Sequence, residues 1–337
     1  MTLTAEPTPG WQTWWARWRH AIALLSFGLG VASFLLFERQ ERVAQTLVIL
    51  LPLSWLLIGI EPWLIKRAEG GGKVLGFSPL ILAWLTQGLH QESFFFTLPF
   101  FLASTTWLSA QTVFIALLML AALGSMIDPF YFRQVLQKRW LLWGFHAAAG
   151  FITVLAAAPM LWQLTTGQSL MLAAGCLAVL SIPAWASALQ RLGPARWLAA
   201  IALGLLLGAA ILQFRIAIPP ATLRVSQARV TTEVDVSTKT PGVALKTLDS
   251  ARVHGEGLYA WTAIRAPRGL AERVEHHWIP EGEIVDRIPL EIHGGREEGY
   301  RAWTHKQAFP ADARGDWQVR VVTEGGQLIG LTRFQVR

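Results

Sequence analysis

Two small clusters of ionisable residues stand out in a chain otherwise short of them. Glu38 and Arg39, with Glu41 and Arg42, follow one apolar run; His90 and Glu92, two residues apart, follow another. An imidazole beside a carboxylate can relay protons or, with further donors from a converging helix, hold a metal. The plainer reading makes His90 to Glu92 a polar turn among lipid headgroups, and Glu38 to Arg42 a self-neutralising loop. His146 lies within a later apolar run, as a hydrogen-bonded bundle histidine or as a ligand. Another candidate set is aromatic. Trp261, Trp278 and Trp303, with His277 among them, either fill a core or line a binding surface.

No motif names a reaction, so no catalytic residue is assigned. The chain lacks a Gly-x-Ser-x-Gly elbow, a Gly-rich phosphate loop and His-Glu-x-x-His. Gly70-Gly71-Gly72-Lys73 has neither the preceding strand nor the second half of a phosphate loop, and reads as a flexible basic loop. Five of the eight histidines fall in the last third, yet His276 and His277 point to opposite faces of any strand. With one cysteine, Cys176, no Cys-based zinc spacing and no intramolecular disulfide are available, and neither metal nor cofactor is expected.

The elements that must position these residues come in two kinds. The chain is 53% hydrophobic and 15% charged, against roughly 25% charged in soluble domains. Up to Arg215 it carries 13 Lys+Arg and 7 Asp+Glu; from Ile216 onward, 16 and 15. The basic excess therefore sits in short loops between apolar runs, which is a topology signal and not a nucleic-acid patch.

A membrane span needs about 20 mostly apolar residues. Six runs qualify: Ala21–Phe37, Val43–Ile60, Val74–His90, Trp140–Trp162, Ser169–Leu189 and Ala195–Phe214. Ser93–Ile127 is too long for one span and is interrupted by Pro99 and by Ser/Thr/Gln clusters. It is either two spans, or one span near Thr112–Ile127 preceded by a re-entrant piece. Seven spans with a cytoplasmic N-terminus put Arg17, Arg19, Lys66, Arg67, Lys73, Arg133, Lys138, Arg139, Arg191 and Arg196 inside, and only Arg39 and Arg42 outside. Eight spans destroy that asymmetry, so seven is preferred. The C-terminal domain then lies in the periplasm of a bacterium whose inner membrane holds the bundle. Trp11, Trp14, Trp15 and Trp18, on one helix face beside Arg17 and Arg19, make residues 1–20 an interfacial anchor.

After the membrane domain (21–214) and a Pro219-Pro220 linker (215–222), residues 223–337 alternate as short β-like runs broken by Gly, Pro and Asp. Seven or eight strands at this spacing predict an immunoglobulin-like sandwich. The clearest pair runs from Gly315 to Val321, turns at Glu324-Gly325-Gly326, and returns from Leu328 to Val336. The fold class expected is thus an α-helical polytopic membrane bundle of about seven spans, followed by an all-β sandwich.

The soluble-domain runs Gly257-Leu258-Tyr259-Ala260-Trp261-Thr262, His277-Trp278, Arg301-Ala302-Trp303-Thr304 and Gly315-Asp316-Trp317-Gln318-Val319 resemble the bacterial domain-of-unknown-function family 2914. The membrane half, with Phe37-Glu38-Arg39-Gln40 and His90-Gln91-Glu92-Ser93-Phe94-Phe95-Phe96, resembles the family 5924 that precedes it. The resemblance implies an uncharacterised envelope protein and supplies no substrate or catalytic residue. The expected partners are the lipid bilayer and an envelope protein or glycan, with a binding or scaffold role favoured over an enzymatic one. The alternative is a transporter or lipid-handling protein working through the polar clusters.

Overall fold

The computed structural model describes residues 79–337, together with the helical positions Arg17, Trp18, Ala21 and Gly28. Apart from Ala21 and Gly28, the expected runs 21–37 and 43–60, and the Glu38–Arg42 loop with candidates Glu38 and Arg39, lie outside the described residues. What is described is a helical region followed by a β-sheet domain.

Five long helices make up the first part: α1 (Pro79–Ser104), α2 (Gln111–Met126), α3 (Arg139–Trp162), α4 (Thr166–Ala188) and α5 (Arg196–Gln213). Among the described residues, three helical stretches are long and apolar enough to cross a membrane: Arg139–Trp162, Thr166–Ala188 and Gln190–Gln213. A fourth follows if α2 and the segment Asp128–Val135, bent against it by 86°, count as one broken span. The described residues therefore supply three or four spans, where five of the seven expected fall wholly or partly among them.

The stretch expected to hold a re-entrant piece is ordinary helix. α1 runs through Pro99 and ends at Ser104, so the Ser104-Thr105-Thr106 and Ser109-Ala110-Gln111 clusters mark the real break before α2, while hydroxyls along and at the end of α1 bond back to it. Ser93 donates to Leu89 O at 2.8 Å, Thr97 to Ser93 O at 2.7 Å and Thr105 to Phe101 O at 2.6 Å. A hydroxyl satisfied by the carbonyl a turn earlier costs an apolar helix little. The chain turns only at 105–110, where Leu108 takes a positive φ of 61°. Consequently His90 does not end a helix. It sits mid-α1, and the expected polar turn at His90–Glu92 is corrected to buried helix interior on one side and exposed surface on the other.

Helices α4 and α5 meet through small residues. A Cβ on Gly204 would stand 2.5 Å from Ala178 O, and one on Gly208 3.1 Å from Ala178 Cβ. This small-xxx-small seam lets the two backbones touch. α5 buries only Ala200, Gly204 and Gly208 and leaves Leu198, Leu205 and Leu206 exposed. α4 starts with a reciprocal capping box between Thr165 and Gln168.

The β domain has seven principal strands: β1 (Arg224–Thr231), β5 (Leu258–Arg265), β6 (Ala271–Pro280), β7 (Asp286–His293), β8 (Tyr300–Lys306), β9 (Gly315–Thr323) and β10 (Leu328–Val336). Two-residue strands β2 (Val234–Asp235), β3 (Thr240–Pro241) and β4 (Thr247–Leu248) and helix α6 (Ser250–Glu256) fill the long β1–β5 connection. One sheet has the order β1-β5-β8, the other β4-β10-β9-β6-β7. Their inner faces share a core: Val230, Leu258 and Ala260 from the first pack with Trp278, Trp317, Val319 and Phe334 from the second. The predicted final hairpin is present as β9 and β10, in antiparallel register from Leu328↔Val322 to Val336↔Gly315. Helix α6, unforeseen, is started by Asp249, whose carboxylate accepts from Ala251 N at 2.9 Å.

Candidate functional site

One face of α1 carries Gln87, His90, Gln91 and Phe94, the i, i+3, i+4, i+7 spacing that points side chains the same way. That face turns into the bundle, and His90 is fully buried. Its Nδ1 lies 2.6 Å from Tyr131 Oη, and its Nε2 lies 2.6 Å from Nδ1 of His146 on α3. Both ring nitrogens are engaged, so His90 fits as a neutral ring donating through one and accepting through the other. Tyr131 and His146 are buried as well.

A shell of amides and backbone surrounds this chain. Gln87 Nε2 donates to Asp128 Oδ1 at 2.9 Å and to Ser125 O at 3.1 Å; Gln91 Nε2 donates to Ser125 O at 2.9 Å. Those partners become available because α2 stops at Ile127, an extended residue before Asp128-Pro129, which leaves its last carbonyls without helical donors. The next segment, Tyr131–Val135, is π-helix. Its wider turn aims Tyr131 inward, a deviation often found at functional sites. Rings close the remaining sides: Phe94, Phe145 and Tyr131 lie 5.7–6.4 Å from the His90 ring, and Trp143 sits 5.3 Å from His146.

Among the described residues no group of three or more His, Cys, Asp or Glu could hold a metal ion. Glu92, the carboxylate expected beside His90, is exposed on the other side of α1. Two residues along a helix turn a side chain through about 200°, so the sequence neighbours diverge. The true partner is His146, 56 residues away, which sequence proximity could not reveal.

The aromatic set does not form a surface. Trp278 is fully buried, with Phe309 and Phe334 edge-on to it at 6.1 and 6.2 Å. Trp261 is buried too, and its indole N–H donates to Lys239 O at 3.1 Å. His277, bonded to Glu275 at 2.7 Å, and Trp303 are only half-buried but belong to opposite sheets. Trp261 and Trp278 are therefore corrected from candidate surface to core.

A third group of polar residues seats the β domain on the helices. Gln111 Nε2 donates to Leu328 O at 2.7 Å, and Gln327 Nε2 donates to Ile218 O at 3.0 Å. Glu272, buried on β6, accepts from Thr166 N at 2.7 Å at the start of α4. Burial pushes its carboxyl above the ordinary range, and nearby Glu324 pushes the same way, against the Thr166 bonds. Gly167 and Gly325 touch backbone to backbone.

With this geometry in view, comparison with protein families gives two consecutive matches: the family of unknown function DUF5924 over residues 3–260, and the protein of unknown function DUF2914 over residues 271–336. The chain belongs to the DUF5924 family. The first match runs past the helices into β5, so the two families meet inside the β domain, and Gly257–Thr262 falls at the end of the first match and outside the second. No curated protein and no solved structure matches the chain.

Proposed function

We propose that this chain is an inner-membrane protein of a bacterial envelope that presents an immunoglobulin-like sandwich, in fixed pose, to a protein or glycan partner in the periplasm. The observation that carries this reading is the seating of the β domain. Gln111 at the start of α2 donates to Leu328 O, Glu272 accepts from the start of α4, and Gln327 holds Ile218 in the connection after α5, where a flexible tether would leave the domain free.

The membrane reading is supported by aromatic residues at both ends of the helices. Trp107, Trp162 and Phe214 are exposed near the β domain; Phe130, Trp140 and Trp197 are exposed at the other end. Orientation is supported by charge. Arg133, Lys138, Arg139, Arg191 and Arg196 all fall at the end away from the β domain, while the turns 105–110 and 163–165 carry none. An immunoglobulin-like assignment is supported by the sheet partition. Principal strands one, two and five share a sheet, and seven, six, three and four form the other, which differs from the antibody constant domain by the sheet of strand four.

Topology decides the first half of the reading. With Cys176 replaced by Ala, a single cysteine at exposed Ser237 should react with an impermeant thiol reagent in intact cells, and one at exposed Gln137 only after lysis. The reverse pattern sinks it. A photo-crosslinking residue at exposed Val236 then tests the partner, since recovery of lipid alone or of nothing rules against an envelope binding role.

The second reading, a transporter or lipid-handling protein, is favoured by one observation, the buried polar cluster around His90 and His146. It makes His146→Ala as damaging to any phenotype as loss of the sandwich.

A further inference from the structure

We propose that Tyr131, His90 and His146 form a proton relay, loaded from the basic end of the bundle. Each link joins two groups that can both give and accept a proton, at 2.6 Å. Start with the Tyr131 hydroxyl donating to His90 Nδ1, His90 Nε2–H donating to His146 Nδ1, and His146 carrying its proton on Nε2. A proton arriving at Tyr131 Oη sends the phenol's own proton to His90 Nδ1. His90 passes its Nε2 proton to His146 Nδ1, and His146 releases the proton from Nε2 to a water molecule that carries it out of the relay. One proton has gone in and one out, both rings are neutral before and after, and each has changed tautomer.

The surroundings give the chain a direction. Tyr131 lies two residues from exposed Arg133, at the end where Lys138 and Arg139 are also exposed. Gln87, Gln91, Asp128 and the Ser125 carbonyl cluster on that side. His90 is 14 residues, about 21 Å, below the end of α1 at Ser104. The intervening interior is filled by Phe96, Phe100, Phe101, Phe151 and Leu155, with the buried hydroxyls of Ser93, Thr97 and Thr153 among them. The groups facing the relay are Gln87 and Gln91 from α1, Asp128 held by Gln87, and Trp143 and Phe145 from α3; Glu92 points away. A purely structural link would not require titratable members: His276 in the β domain is held by threonine hydroxyls alone. An ionisable chain in an apolar bundle is a functional site by default, and this one needs no cavity because only a proton moves. The inference stands whether or not the sandwich binds a partner.

The test uses the full chain with ring-15N histidine in lipid vesicles, read by solid-state NMR before and after transfer to D2O. The relay predicts two buried neutral rings sharing an N–H···N bond, each populating both tautomers, with ring protons that exchange with D2O. Tyr131→Phe, which keeps the ring and removes the hydroxyl, should slow that exchange by about a hundredfold, the lower end of what a positioned acid–base group contributes. A single frozen tautomer per ring in the unaltered protein overturns the proposal, even if the variant fails to fold. Equal exchange in the two proteins overturns it as well.

Discussion

Two histidines among the described residues are fully buried, and the company each keeps is different. His90, in the helices, bonds a second imidazole and a phenol. His276, between the sheets, lies 2.9 Å from Thr304 Oγ1 and 3.2 Å from Thr262 Oγ1. Hydroxyls satisfy a neutral imidazole but have no accessible protonation state of their own, so the His276 site can cross-link β6 to β5 and β8 and do nothing more. In the helical site every neighbour along the chain is titratable. The lesson is that burial and residue type do not separate a structural histidine from a working one; the acid–base character of the hydrogen-bond partners does.

The contrast is broken most severely through the β domain's core. Trp278→Ala removes the largest fully buried side chain, against which Phe309 and Phe334 pack. It should cost roughly 3–5 kcal/mol, measured as urea denaturation of the full chain in detergent by far-UV circular dichroism. A Trp278 serving as a ligand platform would instead leave stability nearly unchanged. In the helices the matching experiment adds volume. Gly204→Leu drives a side chain into the Ala178 carbonyl and should destabilise the α4–α5 pair by about 1–3 kcal/mol, seen as a lowered thermal midpoint of the helical signal with the β signal retained.

The two regions were also unequally legible. Strand order and the final hairpin follow from alternation that one face of a sheet imposes locally, so β9 and β10 could be read to within two residues. The switch from apolar helix to strand near Phe214 was legible from composition, and α5 ends at Gln213 with β1 starting at Arg224. The helical site was not. The break between Ser104 and Gln111 was legible from its polar clusters, since α1 ends at Ser104 and α2 starts at Gln111, but Pro99 looks like a break and is not one, because α1 runs through it. His90 was paired with Glu92 because they are close in sequence, whereas a helix separates them and brings His146 across. One local signal was available: Gln87, His90 and Gln91 at i, i+3 and i+4 mark one polar face, which must turn inward in an apolar bundle.

Acid should separate the two sites next. Burial, with His277 adjacent, lowers His276 to about 3, against roughly 6.5 in an unfolded chain. Between those values the unfolded chain holds a proton that the folded one refuses, so stability is complete above pH 6.5 and falls as pH drops toward 3. At pH 5 the loss should reach about 2 kcal/mol. His276→Gln abolishes this slope if the assignment is right, and an unchanged slope in the variant places the acid sensitivity elsewhere.

The smallest effect lies at the junction that joins the two regions. Glu272 accepts from Thr166 N where α4 begins, a position in which the helix dipole and the unshared N–H favour an acceptor. Yet its burial and the neighbouring Glu324 raise its pKa, so the bond is favourable and the charge is not. The two contributions come apart by substitution. Glu272→Gln keeps an oxygen for Thr166 and removes the buried charge, and should leave docking within about 0.5 kcal/mol of the original or slightly stronger. Glu272→Ala leaves the Thr166 N–H unanswered and should weaken docking by about 1 kcal/mol. Protease accessibility of the 215–222 connection in the full chain reads both. If Gln weakens docking as much as Ala, the carboxylate charge is what holds the sandwich to the helices. Neutral pH would then favour the docked state, the opposite of the pH dependence that a raised carboxyl implies.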